Sequence, residues 1–200
     1  VMIGLWVRKK LPETPQFDRV EGKGAPAKPF KELFSTNLKG LGVVFFVAVG
    51  YNALSYIFKT FSLAYLTQFK GVTANVTSLS VTLASLVAIV AVPTFGWLCD
   101  KYSSKKVLAA GGILSALFAY PFMALLGSGE NALIYTALIV GTGILAPMMF
   151  APQGSYLSRQ FSVQSRSTGV GTAREIGTAF AGGLAPLWAL SMVAASATHS

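Results

Sequence analysis

The sequence predicts an all-α fold, a polytopic bundle of transmembrane helices, and three observations predict it. Hydrophobic residues fill 53% of the 200 positions and charged residues only 12%, about half the usual charged share of a soluble domain. The mean hydropathy is +0.59, too apolar for a chain that must cover itself with polar surface, whereas lipid tails solvate an apolar exterior. The charges also fall into short gaps between uncharged runs, most of them longer than the roughly 20 residues that a spanning helix needs.

The net charge of +9 comes from 16 Lys and Arg against 7 Asp and Glu. Half of the basic residues lie before position 40, and most others sit in gaps between apolar runs. That placement sets membrane topology and forms no basic groove or helix face, so no nucleic-acid partner is expected. Cys99 is the lone cysteine and His199 the lone histidine. An internal disulfide and a His/Cys metal site are therefore excluded, a Ser-His-Asp or Cys-His catalytic site has no well-placed histidine, and no cofactor is expected.

Residues 1–7, Val-Met-Ile-Gly-Leu-Trp-Val, read as the end of an apolar helix whose beginning lies upstream. No charged n-region precedes them, so they are not a signal peptide. Residues 8–39 read as a cytoplasmic connector with eight Lys/Arg and four acids, and Pro12, Pro15, Pro26 and Pro29 keep it from forming one helix. Residues 40–193 hold five predicted spans: Leu41 to about Tyr65 (interrupted by Lys59), Gly71–Cys99, Val107–Gly129, Asn131–Ser158 and about Ser167–Val193. These runs are too long for strands and lack barrel alternation. Residues 194–200 read as a truncated tail, with a sixth span missing.

The basic residues orient the spans. The successive connectors carry eight, one (Lys70), three (Lys101, Lys105, Lys106), none (the Glu130 gap) and two (Arg159, Arg166). High counts mark the cytoplasmic side, so the first, third and fifth connectors are cytoplasmic.

Few residues inside the spans carry chemistry. Lys59 lies about twenty residues into the first complete span. A lysine at the bilayer centre costs about 3 kcal/mol on insertion scales, so it either snorkels to the outer interface or faces a cavity, where it would bind an anionic group or tune a proton site. Asn52, Ser55, Tyr56 and Lys59 follow i, i+3, i+4, i+7 spacing, which predicts one helical face and a cavity wall. Arg174 and Glu175 lie about two turns into the fifth span and point about 100° apart. Glu175 is the one acidic residue predicted inside a span, either a proton-coupling group or half of a structural ion pair. The turn from Gly96 through Asp100, Lys101, Lys105 and Lys106 either sets topology alone or forms a cytoplasmic gate, with Gly96 allowing close helix approach. Gly177, Ala181 and Gly182 predict a helix-packing stripe. Pro147, Pro152 and Pro186 predict kinks or interruptions.

Three stretches carry a resemblance. Arg8-Lys-Lys-Leu-Pro-Glu-Thr-Pro15-Gln-Phe17 is similar to the end of the sixth helix in the metabolite:proton symporter family of the major facilitator superfamily. The turn Phe95-Gly96 to Lys106 resembles the superfamily's Gly-x-x-x-Asp-Arg-x-Gly-Arg-Arg signature in its second copy. Phe150-Ala-Pro-Gln153-Gly-Ser-Tyr, then Arg166-Ser-Thr-Gly169 and Gly182-Gly183-Leu-Ala-Pro186, resemble the passage from helix ten to helix eleven. Lys101, Ser103, Ser104 and Lys105 stand where the signature has Arg, Gly, Arg and Arg. Positive charge is roughly preserved and the glycine is lost, which leaves the tightness of that turn open. Arg159 stands where the family often has an acid, and Lys59 where it has a small polar residue.

The resemblance implies the C-terminal half of a twelve-helix fold, from the end of helix six through helix eleven, in a bacterial inner membrane. It implies proton-coupled uptake of a small organic acid or zwitterionic osmolyte by alternating access between two bundles, with the Asp100 turn latching against the other bundle. The partners would be the lipid bilayer, a small polar metabolite, protons and the absent N-terminal bundle. Two alternatives remain. One is an uncoupled, sugar or drug facilitator of the same superfamily. The other is a membrane-embedded enzyme or assembly protein, for which only Lys59, Arg174 and Glu175 are available as in-membrane charges.

Overall fold

The computed structural model describes residues 37–162 and 165–197, which are helical apart from short links and contain no strand. The expected helix end at 1–7, nearly all of the 8–39 connector with its Arg8–Phe17 motif, and residues 198–200 of the tail lie outside the described residues. Five helical rods follow one another. The first joins α1 (Leu38–Tyr56), a π-helical turn (Ile57–Phe61) and α2 (Ser62–Gln68). The second is α3 (Ala74–Tyr102) and the third α4 (Ser104–Gly127). The fourth joins α5 (Asn131–Leu138), a second π-helical turn (Ile139–Leu145), α6 (Ala146–Phe150) and α7 (Gln153–Ser158). The fifth is α8 (Arg166–Ala197).

Among the described residues, the first four rods are long and apolar enough to cross a membrane, with 31, 29, 24 and 28 residues. At a 1.5 Å rise the shortest measures about 36 Å, against about 30 Å of hydrocarbon. Their ends coincide with the charged gaps, because a lysine or glutamate is tolerated at the interface and not among lipid tails. Gly71 (φ 62°) and Gly129 (φ 78°) turn the chain after the first and third rods, in a conformation that costs glycine little.

The fourth rod is the hub. Of its most apolar stretch 61% is buried, against 17–22% in the first three rods, whose remaining surface is left for lipid or another bundle. Phe58 and Leu66 of the first rod, Phe122 and Leu126 of α4, and Ile134 and Leu138 of α5 form one buried cluster. The rings of Phe58 and Phe122 meet at 4.7 Å. Small residues in the second π turn make that approach possible. A Cβ on Gly141 would meet Phe122 and Phe58 at 3.3 Å, and one on Gly143 would meet the Ala84 carbonyl oxygen at 2.9 Å. A second cluster of Leu41, Val44, Leu157, Phe161 and Ala173 joins the first rod to α8 and to the end of the fourth rod.

The expected proline effects divide. Pro152 sits in the break between α6 and α7, and Pro147 is the second residue of α6, just past the second π turn. The backbone of α8 runs helically through Pro186 without interruption.

Candidate functional site

The predicted Asn52–Ser55–Tyr56–Lys59 stripe does not stay together. Asn52 Nδ2 donates to Thr178 Oγ1 of α8 at 3.0 Å and to its own-helix Ala48 carbonyl at 2.8 Å. Tyr56 lies against the same helix: a Cβ on Gly182 would come within 2.7 Å of its ring. Lys59 points elsewhere, into a cleft of about 480 Å³ bordered by Ser85, Ile89, Pro93 and Thr142. Asn52 and Tyr56 thus contact α8, while Lys59 borders the cleft. Ser55 lies one helical turn after Tyr51 on the same rod.

The π turn at 57–61 causes the separation. Residues of an α-helix advance 100° each, so Lys59 would fall 20° from Asn52. A π turn closes through i→i+5 bonds and holds an extra residue per turn, which sets Lys59 back toward the face of Tyr51. Ser62 secures this wider turn, since both its backbone N–H and its hydroxyl donate to the Ile57 carbonyl, the latter at 3.1 Å. Ser62 is fully buried.

Lys59 also borders a smaller adjoining hollow of about 170 Å³ with Tyr51, Thr142, Pro147 and Phe150. Two π turns, one from each of two rods, thus flank the lysine's surroundings: Lys59 lies in the first and Thr142 in the second. π-helical segments concentrate at functional sites. The described acids are Asp100, Glu130 and Glu175, and none borders either hollow. The Lys59 ammonium therefore faces the cleft without a counter-ion among the described residues. Tyr51, Ser85 and Thr142 escaped the sequence reading because a serine or threonine in a membrane helix has no distinguishing spacing, and the register shift that unites Tyr51 with Lys59 leaves no signature.

Arg174 is half-buried on α8. Glu175 is exposed, on a face about 200° from Gly177 and so turned away from the first rod. The two make no ion pair with one another among the described residues. Gly177 packs against α1, where a Cβ on it would meet Ala48 Cβ at 2.9 Å and the Phe45 carbonyl at 3.1 Å, and Ala181 is buried.

At the lysine-rich turn, α3 and α4 are separated by one residue, Ser103, with φ 105° and ψ 130°. This is the position of the signature glycine, and the turn is tight despite its loss. A side chain there is strained, at a cost on the order of 1–3 kcal/mol. Ser104 Oγ and Ser155 Oγ lie 2.6 Å apart and tie the turn to α7. Asp100, Lys105 and Lys106 are exposed, and Lys101 lies 5.2 Å over the Trp97 ring and 5.4 Å over the Tyr102 ring. A Cβ on Gly96 would meet nothing within 4 Å, so close approach among the described helices does not require a glycine there.

Comparison with known proteins agrees with this architecture. The model of the Major Facilitator Superfamily matches residues 1–186. An inner membrane metabolite transport protein of Escherichia coli is 27% identical, the match covering 93% of this chain and 43% of the relative. An alpha-ketoglutarate permease of Escherichia coli is 28% identical, over 96% of this chain and 44% of that protein. A glycine betaine/proline/ectoine/pipecolic acid transporter of Dickeya dadantii is 25% identical, over 98% of this chain and 40% of the relative. No solved structure matches the chain significantly. The chain spans less than half the length of these relatives. They are metabolite and osmolyte transporters and permeases rather than enzymes, in line with the resemblance to the metabolite:proton symporter family. With nearly its whole length matched and its helices stacked at membrane-spanning length, the chain belongs to the Major Facilitator Superfamily, and is part of a multi-pass integral membrane protein.

Proposed function

We propose that these helices form most of one bundle of a proton-coupled carrier that takes up a small organic acid or zwitterionic osmolyte by alternating access. The observation that carries this reading is Lys59, an ammonium without a counter-ion facing a cleft between membrane-length rods. A charge within a membrane span is not retained unless something answers it, and a polar solute arriving in the cleft is the natural partner. The names of the matched relatives, which pair metabolite, ketoacid and betaine carriers with this sequence, support the solute class.

The five rods would be helices seven to eleven, and a second bundle would close the other side of the cleft. Glu175 carries the proton in this reading. It lies nine residues into α8, deeper than Asp100 lies in α3, and it faces away from the first rod, toward the side on which another bundle can pack. The exposed Asp100, Lys101, Lys105 and Lys106 would latch the cytoplasmic side of the two bundles. The test is uptake of labelled organic acids and betaines by the complete carrier in vesicles, with and without an imposed proton gradient. Accumulation that follows the gradient supports the reading. Equilibration indifferent to the gradient identifies an uncoupled facilitator instead.

A further inference from the structure

We propose that the Lys59 cleft selects a hydroxylated carboxylate, an anion that also brings hydrogen-bond donors, over both plain carboxylates and betaines. The proposal rests on the carrier reading above and follows from a count of donors and acceptors. Lys59 supplies the cleft's positive charge and up to three N–H donors. Two hydroxyls border the cleft, and both have already spent their single proton. Ser85 Oγ donates to the Val81 carbonyl at 2.8 Å, and Thr142 Oγ1 donates to the Leu138 carbonyl. Each keeps only lone pairs to offer. A third acceptor adjoins them. The Ile89 carbonyl would normally receive the N–H of residue 93, which is Pro93 and has none.

The cleft therefore pairs one cationic donor with a set of acceptors against apolar walls. A carboxylate answers Lys59 through a charge-assisted bond. Hydroxyl groups on the same molecule answer Ser85, Thr142 and Ile89. A plain carboxylate leaves those acceptors empty of partners once water is displaced, and a second carboxylate meets lone pairs where it needs donors. A betaine has no N–H or O–H to give and brings a quaternary ammonium toward Lys59. About 480 Å³ accommodates a six-carbon acid.

Equilibrium dialysis on the purified complete carrier tests this with three matched pairs: glycerate and propionate, gluconate and hexanoate, quinate and cyclohexanecarboxylate, with glycine betaine alongside. At least one hydroxylated member is expected to bind about tenfold or more tightly than its deoxy partner. Thr142→Val, which keeps the shape and loses the acceptor, is expected to shrink that preference, and Lys59→Gln to weaken both members. If no pair favours the hydroxylated member, or if glycine betaine binds best and ignores Lys59→Gln, the proposal is overturned. The two readings separate cleanly. Binding with the expected preference but no uptake in vesicles sinks the carrier and keeps the site. Uptake without the preference sinks the site and keeps the carrier.

Discussion

The ring of Tyr56 occupies the space that a side chain at residue 182 would need, with its Cε2 atom 2.7 Å from where a Cβ on Gly182 would stand. One helical turn and a little more away, Gly177 admits Ala48 in the same manner. In a bilayer, where lipid is as apolar as leucine, such backbone contact is the main source of helix attachment. Gly177→Val is accordingly expected to lower stability by about 1–3 kcal/mol, as overpacking does in other close-packed interfaces. Thermal unfolding in detergent reads this, with Gly96→Ala as a neutral control because its Cβ meets open space. Equal melting of the two variants would show that α8 does not dock on α1 through this stripe.

Asn52 and Thr178 form the polar part of that interface at 3.0 Å. A double-mutant cycle of Asn52→Leu and Thr178→Val is expected to give a coupling of about 0.6 kcal/mol, the average for such bonds between membrane helices. Additive effects would mean the two side chains do not meet.

Ser103 holds a backbone conformation that suits glycine. Ser103→Gly is expected to raise stability by about 1 kcal/mol, the relief of strain less the added freedom of glycine in the unfolded chain. Ser103→Val is expected to lower it. An unchanged or lower melting temperature for the glycine variant would contradict the strained turn.

The π turn at 57–61 carries a consequence that labelling can read. In a Cys99→Ser background, cysteine at position 59 is expected to react with a charged, membrane-impermeant thiol reagent, and cysteine at position 52 to resist it. Comparable rates at both positions would restore the single face that α-helical spacing implies and remove the register shift.

The rods themselves were legible because charge is costly in lipid: Lys70, Asp100, Glu130 and Arg159 mark their ends within a few residues. The close approach of Gly177 to Ala48 and of Gly182 to Tyr56 has a similar reason, since a residue without side-chain bulk in an apolar helix admits a neighbour. Lys59 is conspicuous in the sequence, but its surroundings are not. A π turn depends on how Ser62 and the packed Phe58 settle against other rods, and neither residue announces it. The loss of the signature glycine left the turn at Ser103 open from sequence, because composition cannot weigh local strain against the tertiary contacts, such as Ser104 with Ser155, that hold a turn shut.

The most direct test of the Lys59 cleft as the substrate site of a proton-coupled carrier is gradient-driven uptake by the complete protein and its Lys59→Gln variant in the same vesicles. The expected result is accumulation above equilibrium under an imposed proton gradient, abolished by a protonophore and reduced about tenfold or more in the variant at equal amounts of folded protein. Uptake by Lys59→Gln equal to that of the unaltered protein would contradict it.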